Sequence, residues 1–514
     1  MKNSKINITT VLLLITLFAI STIIRLPNIN RPLGANHEWL TAHTLRVQQI
    51  WYEEGAWKHK FNPIMNFGNP TDKNIDNTHT SPQISDEHGD FYYISYPPFV
   101  YILPYLIFKL FSIYPDVLPL QIFNLVIQLI SAFFIFLIVR DLTKKYYLDR
   151  LNYPAILGFI IYTFSSATLW LHSNAFFADM LIQPLFIIGI YIFQKITTKE
   201  QVGNLDYWLL GLTTFLMIYT EWLGVLFAFS IFIYCLFDIK KPGSKKILLT
   251  TITSSVLSLT LIIWQYSQIS GLNAFLKALT NRYFLRSGLT SNTDFGLSYT
   301  TPLSWINLMV SYIWGYAAIF IITFILLSFY LIYKFQIKEK IKIEKQEMLI
   351  FYIILSPILL HHFLLFNFTV IHDFALLKDS IFIAIFTALI YHRLISLNLK
   401  SYTKLAFWIT NLLVVLCIIA SIFTYVQSAS YNVNFKNTGQ RIRTTAKNDE
   451  VIFLKTPNKF HLSPPLIFYA HRNIAMWENE AAARELMAKD QAARGIIFTL
   501  DQDIKITKIE YLEK

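Results

Sequence analysis

Residues 118–139 read LPLQIFNLVIQLISAFFIFLIV, and the basic residue Arg140 follows directly. A helix needs about 20 mostly apolar residues to cross the hydrocarbon core of a bilayer, and this run is long enough. The whole chain has a similar character: 54% of its 514 residues are hydrophobic and 15% are charged. Soluble domains carry about 25% charged residues. The sequence therefore predicts a polytopic α-helical membrane protein.

Eleven runs of this kind follow one another along the chain, and a twelfth run is ambiguous. The eleven lie at 8–24, 118–139, 154–171, 178–194, 206–220, 222–238, 248–268, 304–333, 347–366, 375–391 and 405–425. The first leads into Arg25-Leu26-Pro27 without a small-residue cleavage site, so we expect a membrane helix rather than a cleaved signal peptide. The ambiguous run, 97–113, begins with two prolines and contains Pro104 and Lys109. We therefore predict about 11–12 transmembrane helices.

The distribution of Lys and Arg favours one arrangement of residues 97–113. If the N-terminus is cytoplasmic and 97–113 does not cross, the strongly basic loops all face the cytoplasm, as the positive-inside rule requires. The basic residues concerned are Lys2, Lys5, Arg140, Lys144, Lys145, Arg150, Lys195, Lys199, Lys240, Lys241, Lys245, Lys246, Lys334, Lys338, Lys340, Lys342, Lys345, Arg393, Lys400 and Lys404. The hairpins 172–177 and 367–374 at the opposite side contain neither Lys nor Arg. We therefore predict that 97–113 is a re-entrant or interfacial helix on the outer face.

Three longer pieces then lie outside: loop 25–117, loop 269–303 and the tail from residue 426. The tail has a different pattern, because Glu450–Leu454 and Gly495–Leu500 are short apolar runs typical of buried strands. The Ala-rich stretch Glu478–Arg494 between them favours a helix. We predict a membrane domain at 1–425 and a small non-cytoplasmic α/β domain at 426–514.

The first outer loop contains the first candidates for chemistry. Asn36-His37-Glu38-Trp39 opens an amphipathic stretch that ends at Gly55, which predicts an interfacial helix with Glu38 at its head. A carboxylate at that place lies at the level of a lipid headgroup, although an acid in a first helical turn also stabilises the helix dipole. Farther along, Asp90 precedes an aromatic segment ending in Tyr96-Pro97-Pro98, and two prolines suit a helix start.

Other charged residues stand at the outer edge of later crossings. Asp179 opens the crossing 178–194, where an acid is a candidate for function and also a candidate helix cap. His372 and Lys378 precede the crossing 375–391, and Lys378 can also pair with Asp379.

Two arginines, Arg282 and Arg286, lie in the second outer loop. Forked guanidinium groups suit a phosphate, whether it belongs to a substrate or to bulk lipid. The possible metal ligands Glu38, Asp90, Asp179, His37 and His372 lie on distant segments, so a Mg²⁺ or Mn²⁺ site stays open. Cys235 and Cys417 form no CxxC pair, and the chain has no Walker A loop. The charge of +12 is explained by basic cytoplasmic loops, so we expect no nucleic-acid partner.

The order of these motifs resembles a known superfamily. The series begins with an Arg-Leu-Pro exit from the first helix, an acid-bearing interfacial helix and an aromatic-Pro-Pro segment, in that order. These are followed by Val139-Arg140-Asp141-Leu142, by Ala178-Asp179-Met180 and by His372 with Phe374. Over about residues 1–395 the chain resembles the GT-C integral membrane glycosyltransferases. The similarity is to the branch of the protein O-mannosyltransferases and lipid A aminoarabinose transferases.

This resemblance implies transfer of a sugar from a polyprenyl-phosphate donor on the non-cytoplasmic face, to a protein, lipid or glycan acceptor. It implies Glu38 as the general base and Asp179 as a partner that orients substrate or metal. Many members have Asp-Glu where this chain has His37-Glu38. Therefore either Glu38 or Asp90 takes the role of base, or the chain is a divergent or inactive member.

An acceptor hydroxyl needs a base, and the departing phosphate needs cationic groups. We expect Arg282, Arg286 and Lys378 at the phosphate. The full set of substrate-binding candidates is His37, Tyr96, Arg282, Arg286, His372 and Lys378. The compositional bias toward Ile, Asn, Lys and Phe suits a bacterium, which predicts an inner-membrane location with the active site outside. The alternatives are a lipid-pyrophosphate-dependent glycan polymerase or ligase, a transporter or flippase, and a non-catalytic scaffold or receptor.

Overall fold

The computed structural model describes residues 6–78, 83–143, 151–198, 202–240, 243–290, 293–340, 343–397 and 403–513. Several basic residues used to predict the orientation lie outside these ranges: Lys2, Lys5, Lys144, Lys145, Arg150, Lys199, Lys241, Lys342 and Lys400. The N-terminal half contains α1 (Ile8–Arg25), α2 (Glu38–Ile50), α3 (Phe99–Leu110), α4 (Val117–Thr143), α5 (Tyr153–Phe164), α6 (Ser166–Leu171), α7 (Ala178–Thr198), α8 (Asn204–Thr220), α9 (Leu223–Phe237) and α10 (Ser244–Ser270). The second half of the membrane region contains α11 (Leu272–Ser287), α12 (Pro302–Gln336), α13 (Lys345–Leu364), α14 (Phe366–Ile371), α15 (Asp379–Ile395) and α16 (Thr403–Gln427).

In the described part of the chain, seven helices are long and apolar enough to cross a membrane. They cover Ile8–Asn28, Val117–Thr143, Ala178–Thr198, Ser244–Ser270, Pro302–Gln336, Lys345–Leu364 and Asp373–Ile395. The other four predicted crossings coincide with α5 together with α6, with α8, with α9 and with α16. Three of them contain shorter apolar helical stretches, Tyr153–Phe164, Leu223–Phe237 and Asn411–Gln427. The predicted run 154–171 is broken at Ser165, whose backbone is extended and whose side chain caps α6 by accepting a hydrogen bond from the Thr168 amide. The multi-pass helical architecture is confirmed, and the orientation in the membrane stays a prediction.

Helix α3 occupies the ambiguous run 97–113. Its 12 residues span about 18 Å, well short of a bilayer's hydrocarbon core of about 30 Å. One face, which includes Tyr101 and Phe108, is buried in the protein, whereas Leu106 and Leu110 are exposed. These features agree with a re-entrant or interfacial helix.

Helix α2 forms where the amphipathic stretch predicts it, but its surroundings differ from the expected membrane interface. Twelve of its 13 residues are buried. Its polar face meets backbone carbonyl groups instead of water: the Thr41 hydroxyl donates to Asn174 O at 2.8 Å, and the Gln49 amide donates to Pro115 O at 3.0 Å. The first outer loop is therefore part of the protein core, because other segments supply acceptors for its polar side chains.

The tail contains a four-stranded sheet. Its elements are α17 (Asn434–Thr445), β1 (Glu450–Lys455), α18 (Pro464–Ala470), β2 (Ala475–Met476), α19 (Glu480–Lys489), β3 (Arg494–Leu500) and β4 (Ile506–Glu513). The strand order is β2-β1-β3-β4, with β1 parallel to β2 and β3, and β4 antiparallel to β3. Both predicted strands are present, and the predicted helix is shorter than 478–494. The α/β character of the tail is confirmed, whereas the domain boundary at 425/426 stays a prediction.

The tail packs directly on the first outer loop. The Asn473 side chain accepts a hydrogen bond from the Phe67 amide and donates one to the Phe67 carbonyl, each at 2.8 Å. Arg472 forms an ion pair with the buried Asp72 at 2.6 Å. The loop and the tail therefore share one hydrophobic core with the outer ends of the membrane helices.

Candidate active site

A cavity of ≈ 500 Å³ opens beside the first outer loop. Its walls are mainly apolar and aromatic, and they come from the loop, from α9, α10 and α11, and from the segment 364–374. Four of the predicted substrate-binding residues line it: Tyr96, Arg282, Arg286 and His372. The structure thus brings together residues that are up to 276 positions apart in the sequence.

The cationic groups of this cavity come from one face of α11. Arg282 and Arg286 are four residues apart, so their side chains emerge on the same side of the helix. Arg282 Nε donates a hydrogen bond to Ser95 Oγ at 3.0 Å, and Arg286 Nη1 lies 2.8 Å from His372 Nε2. Because an arginine can only donate, that His372 nitrogen accepts the hydrogen bond.

A histidine–carboxylate pair lies beside the cavity wall, and neither of its residues lines the cavity itself. His37 Nε2 contacts Asp373 Oδ1, and the side chains are 10% and 17% exposed. The His37 ring packs edge-on against Phe374, which lines the cavity, with centroids 4.9 Å apart. His37 has a φ of 58°, a left-handed conformation that is uncommon for a residue other than glycine and is often found at functional sites.

Asp373 is not among the site residues predicted from the sequence. The sequence offers one reason to consider Asp373, because its carboxylate directly follows the predicted substrate-binding residue His372. The Asn36 amide also donates to Asp373 Oδ2 at 3.3 Å. The pair with His37 was not predictable, because the two residues are 336 positions apart in the sequence.

Glu38 lies next to His37 in the chain but has a different environment. Its Oε1 accepts hydrogen bonds from Arg31 at 2.6 Å and from Asn174 at 3.2 Å, and its Oε2 accepts from the Gly34 and Ala35 amides, both at 2.8 Å. Burial raises the pKa of Glu38 above its ordinary value, although Arg31 opposes the shift. Like His37 and Asp373, Glu38 does not line the cavity. This environment fits a carboxylate that anchors the loop and gives no support to the expected role of general base.

Asp179 and Lys378 belong to a buried network that does not line the cavity. Lys378 Nζ contacts Asp179 Oδ1 and lies 3.6 Å from Glu221 Oε1, which is 2.9 Å from His361 Nε2. All four side chains are completely buried. The two carboxylates bind the Lys378 ammonium group, so this arrangement gives no support to the expected placement of Lys378 at the leaving phosphate. The alternative pair with Asp379 is not formed either, since Asp379 binds His362 at 2.9 Å.

Asp90 is also separate from the cavity. It lies 3.2 Å from Lys73 and 4.0 Å from His59, within the folded part of the first outer loop. These contacts give no support to the alternative role of Asp90 as the base. No group of three or more His, Cys, Asp or Glu side chains suited to a metal occurs within the ranges that the structure describes. The predicted metal ligands thus do not assemble there into a divalent-cation site.

Comparisons with known proteins show similarity in structure only. No protein-family model matches the chain, and no curated protein matches it. The archaeal oligosaccharyltransferase AglB from Archaeoglobus fulgidus, in complex with an inhibitory peptide and a dolichol-phosphate, matches with a TM-score of 0.57 at 12% identity, covering 96% of this chain and 69% of that chain. Another structure of the Archaeoglobus fulgidus oligosaccharyltransferase, with Zn and sulfate, matches with a TM-score of 0.56 at 14% identity and covers 94% and 67% of the two chains.

ArnT from Cupriavidus metallidurans, bound to undecaprenyl phosphate, matches with a TM-score of 0.54 at 9% identity, covering 96% of this chain and 92% of that chain. These proteins are GT-C glycosyltransferases. At such low identity the similarity concerns the fold, and it extends over both the membrane helices and the tail. The chain therefore has the fold of the GT-C membrane glycosyltransferases.

Proposed function

We propose that this protein transfers a sugar from a polyprenyl-phosphate donor to an acceptor at the membrane surface. The observation that carries the proposal is the cavity, which combines apolar and aromatic walls with Arg282, Arg286 and His372. A lipid-linked phosphate has the same two parts, an apolar chain and an anionic head. The bound undecaprenyl phosphate of ArnT and the dolichol-phosphate of AglB support this assignment, because both proteins share the fold.

The arginines are suited to the leaving group. When the bond between the anomeric carbon and the phosphate oxygen breaks, the electron pair goes to that oxygen, and polyprenyl phosphate departs with an additional negative charge. Guanidinium groups placed where charge develops stabilise such a transition state. Arg286 is held in place by His372 and by the face of Phe368, at 5.4 Å from the ring centroid.

The pair of His37 and Asp373 is suited to the acceptor. As the acceptor oxygen forms its bond to the anomeric carbon, its proton passes to this pair, in which Asp373 orients the histidine and stabilises its charged form. The pair is partly exposed and packs on Phe374 of the cavity wall, whereas Glu38, Asp90 and Asp179 are buried and contact other charged groups. Glu38 then positions His37 by fixing the loop from Gly34 to Glu38. Asp179 acts through Lys378, which holds the starts of α7 and α15 together. Because the described residues do not form a metal site, no step is assigned to a divalent cation.

The proposed setting is a bacterial inner membrane with the cavity on the outer side. Lys195, Lys240, Lys334 and Arg393 lie at the opposite ends of the helices from the cavity, as the positive-inside rule requires for a cytoplasmic side. The donor enters laterally from the bilayer, and the acceptor approaches from the side of the tail.

The experiment uses the full-length protein in lipid nanodiscs with a panel of radiolabelled polyprenyl-phosphate sugars and an extract of a bacterial envelope as the source of acceptor. We expect transfer of label with release of polyprenyl phosphate. Arg286→Gln should weaken donor binding by about tenfold or more, because a charge-assisted contact to phosphate is lost. Arg441→Gln removes the same charge from exposed α17 and is the matched control.

Transfer from none of these donors by folded protein would contradict the proposal. Transfer from lipid-pyrophosphate donors alone would instead support the glycan polymerase or ligase. Equal donor affinity in Arg286→Gln and wild type would remove the phosphate site from this cavity.

A further inference from the structure

A second cavity, of ≈ 380 Å³, lies between the first outer loop and the tail. It is lined by Asn30, Arg31 and Pro32 from the loop, by the start of α4, and by α17 and the end of α18. Its walls are mainly polar, in contrast to the apolar cavity at Trp39. The short segment from Asn30 to Trp39 separates the two cavities, because its beginning lines the polar one and its end lines the apolar one.

Two buried polar side chains of this cavity have unused hydrogen-bonding groups. Arg31 is 8% exposed, and its Nε and Nη1 have no hydrogen-bond partner among the described residues. Gln49 is 5% exposed, and its Oε1 has none there either. Buried polar groups without partners are costly, so such groups indicate a ligand that offers both an anion and hydroxyl donors.

The tail adds positive charge to the same cavity. Lys436, Gln440 and Arg443 are spaced four and three residues apart on α17 and therefore share one face. Neither Lys436 nor Arg443 forms an ion pair with any carboxylate that the structure describes. Asp116 is the acid that lines the cavity, and its Oδ1 accepts a hydrogen bond from the Val117 amide at 2.7 Å. His471 also lines the cavity and lies 3.2 Å from Glu53.

We propose that this cavity binds the acidic sugar residue of a saccharide acceptor, through a carboxylate or phosphate group on that sugar. The cations bind the acidic group. The remaining polar groups suit the sugar ring and its hydroxyl groups; they are the side-chain amides of Asn30, Gln49 and Gln440 and the phenols of Tyr114 and Tyr469. A bare phosphate or a lipid headgroup has no sugar ring or ring hydroxyls to contact these groups. This inference rests on the proposed function, since it names the class of acceptor for the same reaction.

The position of Arg31 links the acceptor to the reaction. One of its nitrogens contacts Glu38 at 2.6 Å, and Glu38 is next to His37 in the chain. Its guanidinium also lies over the ring of Trp170, whose indole nitrogen donates to Asn36 O at 3.0 Å. An acceptor bound at Arg31 therefore lies at one end of the segment whose other end carries the proposed base.

The test measures binding of small probes to the full-length protein in nanodiscs of phosphatidylcholine, by saturation-transfer NMR. The probes are glucuronic acid, glucose 6-phosphate, glucose and inorganic phosphate. We expect the two acidic sugars to bind about tenfold more tightly than glucose, because a charge-assisted contact is added. Arg443→Gln and, separately, Lys436→Gln should reduce that preference severalfold. Arg441→Gln, on the same helix but outside the cavity, should leave it unchanged.

Equal affinity for glucose and the acidic sugars would overturn the proposal. So would a loss of the preference for acidic sugars in Arg441→Gln as large as that in Arg443→Gln or Lys436→Gln. Inorganic phosphate binding as tightly as the acidic sugars would indicate a simple anion site. Displacement of the probes by phosphatidylglycerol, with no sugar preference left, would assign the cavity to lipid headgroups. The measurement does not depend on turnover. It can fail while polyprenyl-phosphate transfer is observed, and it can succeed while that transfer is absent.

Discussion

The buried network around Lys378 and the pair formed by His37 and Asp373 contain similar groups in opposite surroundings. In the network, two carboxylates and a histidine surround one ammonium group, and none of the four side chains is exposed. The pair is partly exposed beside a cavity. A charged residue at the end of a membrane helix thus has two interpretations. Partial exposure distinguishes the proposed reacting pair from the network that holds helices together.

The largest effect should follow loss of the central cation of the network. Lys378→Met leaves two buried carboxylates without their counter-charge, which costs about 3 to 5 kcal/mol of folding stability. Thermal unfolding in detergent should show a large drop in melting temperature, with Lys277→Met, an exposed lysine on α11, as the control. Adding Asp179→Asn to Lys378→Met should recover part of the loss. An unchanged melting temperature would show that the network does not stabilise the fold.

The pair beside the cavity should behave in the opposite way. His37→Asn and Asp373→Asn should each reduce turnover by about 10² to 10⁴ while the protein remains folded, because a general base and its orienting partner are removed. Asparagine suits the left-handed backbone at position 37, so His37→Asn avoids added strain. Turnover is measured with the best donor from the panel, and folding is checked by the melting temperature. Turnover like that of the wild type would assign the proton transfer to another group.

Glu38 allows a direct comparison, because it follows His37 in the chain. Glu38→Gln leaves Arg31 without its counter-charge, so we expect a loss of about 1 to 3 kcal/mol in stability. Turnover per folded molecule should fall less than in His37→Asn, since Glu38 acts by positioning the loop. The melting temperature and the rate of the same preparation are compared. A stable Glu38→Gln protein with no turnover would restore Glu38 as the base.

The smallest effect should come from Asn36. Asn36→Ala removes a single, long hydrogen bond to Asp373, and we expect turnover to fall by about two- to fivefold at unchanged stability. The measurement is the same transfer assay at saturating donor. A loss as large as that of Asp373→Asn would mean that Asn36 itself contacts the substrate.

The membrane architecture was predictable from sequence because the bilayer imposes a length and an apolar composition on each crossing. The two prolines before α3 and the positions of Lys and Arg also predicted a helix that does not cross. Tyr96, Arg282, Arg286 and His372 line one cavity, and their role in binding a substrate stays a prediction.

The partners of the acids were not predictable, because they come from remote segments. Asp179 binds a lysine 199 positions away, and Glu38 binds an asparagine 136 positions away. A sequence shows that a carboxylate is present at a helix end, but only packing determines whether its oxygens are already used. The same reason explains why the pair of His37 with Asp373 was missed.

The packing of the tail on the first outer loop has a consequence for how the protein is made. Asn28 bonds Tyr425, and Phe67 bonds Asn473, so these partners are 397 and 406 positions apart. At a synthesis rate of about 5–20 residues per second, the ribosome needs roughly 20 to 80 seconds to synthesise the residues between the loop and its partners. During this interval the apolar side chains that later face the tail are uncovered. The first outer loop therefore completes its packing only after the tail has been synthesised.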